Sequence, residues 1–272
     1  MIDLHLHTAA SDGALSPVEL VARAAAAGLR TISVTDHDTV AGLADARRAA
    51  AERGLTFVNG IEITAVEHGR DVHVLGYFFD AGDERLARFL DAQRTDRVRR
   101  VREMSARLAA LGVAVDVEPL LRQAEGSGCS IGRPHLAGAL VSAGHVRTRD
   151  EAFERFLDRS SPAFVPRRGA SVAEVVAVIA AAGGVSSLAH PVSSGVDALI
   201  PSFAQSGLHA LEARHSDHDE ATERRYRAFA AAHALAVSGG SDFHREGDHH
   251  GGSLGAVTLS SEDFAALESR LG

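Results

Sequence analysis

The chain opens MIDLHLHTAASDG, which sets His5 and His7 on alternate residues of an apolar segment and Asp12 shortly after them. In an extended strand alternate side chains share a face, so Asp3, His5 and His7 project to one side and Ile2, Leu4 and Leu6 to the other. The same residue types return at the ends of later apolar runs. TISVTDHDT carries His37, TFVNGIEITA carries Glu62, DVHVLGYFF carries His73 and VSSLAHP carries His190. LHALEARHSDH brings Glu212 and His215, and LAVSGGSDFH brings Asp242 and His244. Taken singly, each has an ordinary structural explanation. Their recurrence at the C-terminal end of one strand after another is where barrel folds place reactive groups. Imidazole and carboxylate without thiolate suit Zn, Mn or Fe, and the set exceeds what one ion can use, so two or three divalent ions are implied.

The elements that must position these groups alternate between short apolar runs and alanine-rich helical stretches, the rhythm of an α/β barrel. Ser16 as N-cap, Pro17 at the first helical position, Glu19 three residues after the cap and Gly28 at the end mark the first helix. From about residue 83 to 161 the rhythm gives way to arginine-rich amphipathic helices without an evident strand. The expected architecture is therefore a discontinuous barrel domain over 1–82 and 162–272 with a helical domain inserted over 83–161. At 272 residues the chain can bury a large core, and its net charge of −8 argues against a protein that coats nucleic-acid backbone. All 28 basic residues are arginine, and Cys129 is the single cysteine, which rules out a disulfide framework or a thiolate zinc cluster. No apolar run reaches membrane-spanning length, and a cytoplasmic protein with no membrane association and no stable protein partner is expected.

The segments HLHTAASDG, TDHD, GIEIT, HVLGY, GRPH, AHP, EARHSDH and GSDFH, in that order, resemble those of the polymerase and histidinol phosphatase (PHP) family of metal-dependent phosphoesterases. The resemblance runs along nearly the whole chain. It points to the bacterial branch that includes nucleoside 3′,5′-bisphosphate phosphatases and 5′-3′ exoribonucleases acting on short RNA, with a distorted seven-stranded barrel and an inserted helical domain. It implies a trinuclear site. His5, His7, Glu62 and Asp242 would hold one ion, Asp12, His37 and His244 a second, and Glu62 would bridge to a third held by His73 and His190. Three divalent ions follow, manganese first and zinc or iron as substitutes. Asp12 fits the same branch, whereas Arg214 stands where that branch usually has an aromatic.

The resemblance implies hydrolysis of a phosphomonoester of a small nucleotide, the 3′-phosphate of a nucleoside 3′,5′-bisphosphate, by a hydroxide bridging two of the ions. Cleavage of a short oligonucleotide from its 5′ end is the alternative. An amidohydrolase also opens on HxH, but its usual two-metal form is bridged by a carboxylated lysine, and the chain has no lysine. Around the ions, Asp38 is expected to hydrogen-bond a ligand histidine and fix its tautomer. His215 is the candidate phosphate contact or proton donor to the leaving oxygen. In GRPH, Gly132 and Pro134 suit a helix start, and Arg133 can clamp a second phosphate. His68, His145, His209 and His233 read as ordinary structural histidines, and His249 and His250 as a surface turn.

Overall fold

The computed structural model of the chain describes residues 1–247 and 252–271, so His249 and His250 lie outside the described residues. Seven strands, β1 (Ile2–Asp3), β2 (Thr31–Val34), β3 (Thr56–Glu67), β4 (Arg70–Tyr77), β5 (Val185–Leu188), β6 (Ala210–Arg214) and β7 (Ala236–Gly239), are neighbours in chain order. All adjacent pairs are parallel except β3–β4 and β4–β5. The ends of this sheet approach each other. Leu4 N–H donates to Gly239 O, and Leu6 bridges Phe243 in parallel, which brings the sheet close to a closed barrel. A Cβ on Gly240 would lie 2.4 Å from His5 N and 2.7 Å from the Asp3 carboxylate. Only glycine lets the two chain ends meet this closely.

The helices are α1 (Pro17–Ala26), α2 (Leu43–Glu52), α3 (Glu84–Ala110), α4 (Glu118–Ser127), α5 (Arg133–Ser142), α6 (Arg149–Ala152), α7 (Val172–Ala181), α8 (Pro191–Ser194), α9 (Ile200–Gln205), α10 (Glu220–Ala232) and α11 (Ser261–Glu268). α1 starts on the capping box read from Ser16 and Glu19, and α7 on the same device at Ser171 and Glu174. No helix among the described residues is long and apolar enough to cross a membrane.

Steady strand-helix alternation fails at one place. β3 and β4 form a hairpin, joined by His68 (φ 47°) and Gly69 (φ 73°). Two positive φ angles in a two-residue loop match the right-handed twist of the flanking strands, so no crossover helix is needed. Because β4 runs backwards, His73 lies in its first half rather than at its last residue. Glu62 and His73 become diagonal neighbours across the pair, Glu62 opposite Leu75 and His73 opposite Thr64.

Two hydrophobic clusters bear on the site. The larger joins strand residues such as Leu6, Ile32, Ile61, Val74 and Leu211 to the surrounding helices and includes Leu86 and Leu90 of α3. A separate one holds Val101, Met104 and Leu108 of α3 with Leu121, Leu136, Leu140, Phe156, Leu157 and Val165. One 27-residue helix thus spans from the barrel to a helical lobe. Between its two apolar ends it presents Gln93, Arg97 and Arg100 toward the mouth of the barrel.

Candidate metal centre

The polar side of the first strand is not solvated, as Asp3, His5 and His7 are all fully buried. Burying imidazoles and carboxylates costs several kcal/mol unless they are paired or bind a metal, so their arrangement decides their use. Glu62 is the hub. Its Oε1 lies 2.7 Å from His73 Nδ1 and 3.0 Å from His190 Nε2, and its Oε2 lies 3.3, 3.2 and 3.2 Å from His5 Nε2, His7 Nε2 and His37 Nδ1. Asp242 Oδ1 sits 3.2 Å from His5 Nε2 and 3.1 Å from His7 Nε2. Asp12 faces His7, His37 and His244 at 3.8, 3.7 and 3.4 Å.

Many of these atoms face one another without hydrogen-bond geometry. Both ring nitrogens of His7, Nδ1 of His37, Nδ1 of His190, Oδ1 of Asp12 and Oδ1 of Asp242 are buried with no hydrogen-bond partner. Orphaned buried polar atoms are rare, and lone pairs aimed at shared points are what cation ligands look like. His5, His7, Glu62 and Asp242 place ligand atoms within 4.8 Å of one another, as do His7, Asp12, His37 and His244, and again His37, Glu62 and His73. The donor set therefore fits clustered divalent cations held by nitrogen and oxygen.

Electrostatics agree with that use. Burial pushes the His37 imidazole down to about 3, so it stands neutral with a lone pair to give. His7 is depressed by burial as well, but the Asp242 and Glu62 carboxylates beside it more than offset this and lift it to about 10. A cation entering this cluster must displace that proton, which makes binding proton-coupled.

Backbone and neighbours hold the ligands in place. Asp242 (φ 53°), His190 (φ 23°) and Asp38 (φ 51°) adopt the left-handed region that non-glycine residues seldom occupy, a kind of strain that collects at functional sites. Asp36 accepts from Thr8 N–H at 2.7 Å, Thr8 Oγ1 at 2.6 Å and Ser11 Oγ at 2.6 Å, which fixes the loop carrying Asp12. A Cβ on Gly13 would stand 2.4 Å from His7 O, so that loop closes against the first strand only with glycine there.

One expectation for the surroundings changes. The Asp38 carboxylate touches no ligand histidine; it accepts from Arg97 Nε and Arg167 Nη2 at 2.5 Å each and from Thr64 N–H at 3.0 Å. Its partners are two guanidiniums because α3 and the segment before α7 both pass over the barrel mouth. The carboxylate that orients ligands is Glu212, which accepts His5 Nδ1–H at 3.0 Å and His190 N–H at 2.8 Å and so leaves His5 Nε2 free for the cluster. Arg214 is directed at Thr258 O and Glu223, away from the cations.

His215 is buried, its Nε2 3.4 Å from Asp242 Oδ2. Asp217 N–H donates to its Nδ1 at 3.1 Å, which places the proton on Nε2, toward the cluster. GRPH opens α5, with Gly132 as N-cap. Arg133 lies over the Phe153 and Phe164 rings at 5.7 and 5.8 Å and pairs with Asp71 at 3.5 Å. His135, unassigned from sequence, donates from Nε2 to Ser11 O at 2.8 Å while its Nδ1 accepts from Gly132 N–H, tying α5 to the loop of Asp12.

Beside His37 and His73 opens a cavity of about 110 Å³ lined by Arg97, Arg100, Arg133 and Arg167, with Asp71 in its wall. Arg100 and Arg167 are buried, and Arg100 Nη2 and Arg167 Nε have no partner. The sequence carried a signal for this wall: Arg97, Arg100, Val101 and Met104 recur at helical spacing, so the arginines share a face with core residues.

A nearly closed barrel whose mouth gathers histidines and carboxylates around a basic cavity defines a metal-dependent hydrolase of phosphoesters. The profile of the PHP domain matches residues 3–163, and the chain belongs to that family. It is 36% identical over 252 residues to a 3′,5′-nucleoside bisphosphate phosphatase of Chromobacterium violaceum, covering 91% of this chain and 88% of that one. It is 34% identical to a 5′-3′ exoribonuclease of Haemophilus influenzae, covering 89% of each. Among solved structures, a Bifidobacterium adolescentis protein proposed to be a metal-dependent phosphoesterase superposes with a TM-score of 0.90 at 34% identity, covering 99% of this chain and 96% of that one. A Chromobacterium violaceum protein described as an amidohydrolase with bound sulfate and no metal gives 0.87 at 33% identity, with the same coverage.

Proposed function

We propose that the chain removes the 3′-phosphate of a nucleoside 3′,5′-bisphosphate in the cytoplasm, with three divalent ions, manganese by preference, at the barrel mouth. His5, His7, Glu62 and Asp242 hold the first, Asp12, His37 and His244 the second, and His73, His190 and Glu62 the third. The observation that carries the reading is the arginine-lined cavity directly beside the ligand cluster. Two anion sites side by side, one at the cations and one at spare guanidinium N–H groups, call for a substrate with two phosphates. The helical residues 83–161 serve as an insert that covers the barrel mouth and supplies Arg97, Arg100 and Arg133 to this cavity.

At this ligand set divalent cations would supply an activated water and would neutralise the oxygens of the reacting phosphate. The chain's own groups do the rest. Arg133, fixed over two aromatic rings, and Arg100 and Arg167 orient the remote phosphate, which converts binding into positioning of the reacting one. His215 donates its Nε2 proton to the departing 3′ oxygen. Lysine is absent, so the carboxylated-lysine bridge of two-metal amidohydrolases cannot form, and Glu62, with one oxygen facing His5, His7 and His37 and the other facing His73 and His190, would serve in its place.

A cleft of about 550 Å³ beside Asp12, Asp242 and His244, bordered by Phe153 and Arg149, supports the second reading, a short 5′-phosphorylated RNA whose chain continues past the reacting phosphate. The test compares kcat/KM of the manganese-loaded enzyme for a nucleoside 3′,5′-bisphosphate, a nucleoside 5′-monophosphate, histidinol phosphate and a 5′-phosphorylated tetranucleotide. The bisphosphate leads. Arg133→Ala lowers its kcat/KM by about 2–4 kcal/mol, the scale of breaking a desolvated charge pair, and spares a substrate with one phosphate. An equal loss on both substrates overturns the assignment of Arg133.

A further inference from the structure

The basic cavity does not end at the remote phosphate. Asp71 and Arg133 also line a second hollow of about 310 Å³, bounded by Arg70, Arg159, Phe164, Ser193 and Ser194. None of the cation-ligand candidates lies in its wall, and the residues it shares with the arginine cavity, Asp71 and Arg133, set it on the side of that cavity. Its charge is three guanidiniums against one carboxylate, and that carboxylate, Asp71, is already held by Arg100 at 3.3 Å and Arg133 at 3.5 Å. Among the described residues Arg70 and Arg159 make no ion pair, although both flank this hollow, Arg70 from the start of β4 and Arg159 from the lobe. Surface arginines in this chain usually find a carboxylate, as Arg48, Arg88 and Arg155 do.

We infer that Arg70 and Arg159 bind a third anionic group, attached to the remote phosphate, so that the enzyme takes a nucleoside 3′-phosphate 5′-diphosphate as well as the 3′,5′-bisphosphate. The inference rests on the reading above that the remote phosphate lies among Arg97, Arg100, Arg133 and Arg167. The order of the hollows sets the position of the extra group. A substituent on the reacting phosphate would leave by the cleft beside Asp242, whereas a substituent on the remote phosphate continues past Asp71 and Arg133 into the hollow of Arg70. Water attacks the 3′-phosphorus, the bond from phosphorus to the 3′ oxygen breaks, that oxygen takes a proton, and the products are inorganic phosphate and the nucleoside 5′-diphosphate.

Calorimetry of a nucleoside 5′-diphosphate and the matching 5′-monophosphate tests this without turnover. The wild type should bind the diphosphate about tenfold more tightly at low salt, the scale of added charge-assisted contacts at an exposed site, with the advantage shrinking as salt rises. Arg70→Ser/Arg159→Ser should erase that advantage, leaving monophosphate affinity and bisphosphate turnover within about twofold of wild type, since neither residue touches the remote phosphate or the cations. Equal affinity of the wild type for the two nucleotides, or an advantage that survives the double substitution, overturns the inference. Failure to hydrolyse the bisphosphate would instead overturn the phosphatase reading, because the binding difference is measured apart from catalysis.

Discussion

Asp38 holds two guanidiniums, Arg97 and Arg167, in a place sealed from solvent. Burial alone would raise its carboxyl, but Arg167 and then Arg97 outweigh this and keep it well below the ordinary carboxylate range. A depressed carboxyl contributes stability that is fully present above its unfolded value near 4 and is lost as pH falls toward the folded one, so this triad holds at neutral pH and fails in acid. Asp38→Asn should cost about 3–5 kcal/mol in urea unfolding at pH 7, because two buried cations lose their counter-charge. The loss should narrow below pH 4. An unchanged unfolding midpoint would show that water already satisfies the pair. The ligand-type residues were legible because His and carboxylate have few reasons to recur at strand ends. The partners of Asp38 were not, since Arg97 and Arg167 are brought to it by tertiary structure across 59 and 129 residues. Glu212 was visible as a carboxylate at a strand end, but its task depends on which imidazole nitrogen it faces.

α3 belongs to both bodies, with Leu86 and Leu90 packed on the barrel and Val101, Met104 and Leu108 in the lobe. Met104→Ala should open a cavity in the lobe core worth about 2–5 kcal/mol. Because that core shares no residue with the barrel core, the lobe should become cleavable by protease at a urea concentration where the barrel still retains its metal. One coincident transition, seen by cleavage and metal release alike, would argue that the insert and barrel form a single cooperative unit. Periodicity made most helices legible, including α1, α3 and α7. It did not announce the direction of β4, whose apolar pattern reads alike in parallel and antiparallel strands; the His68–Gly69 turn held that information. α8 and α9 are too short to show a period, and α11 is held by Leu267 in a cluster with Tyr77, Val185, Ala210 and Ala236, residues far from it along the chain.

At the barrel mouth the molecule gathers the carboxylates of Asp12, Glu62, Glu212 and Asp242 among clustered imidazoles, a set that a cation can stabilise. Adding Mn²⁺ to stripped protein should stabilise it by about 2.7 kcal/mol for each ion present at a hundredfold excess over its dissociation constant. That is a rise in Tm of several degrees, about 2–4 °C per kcal/mol for a chain of this size. Since entry displaces the proton that His7 holds up to about 10, the rise should be larger at pH 8.5 than at pH 6.5. Asp242→Ala should lose most of it, and a scan in which Mn²⁺ leaves the wild-type Tm unmoved would count against the whole centre. The near-closure of the sheet, Leu6 against Phe243 with glycine at Gly240 letting His5 pass, also sets a schedule. His5 and His7 leave the ribosome some 235 residues ahead of Asp242 and His244, about 12–47 s at roughly 5–20 residues per second. Through that interval the first histidines have no Asp242 beside them. A product that stops short of Asp242 therefore cannot assemble the part of the centre that the two segments share, and metal capture there becomes a mark that the first and last strands have met.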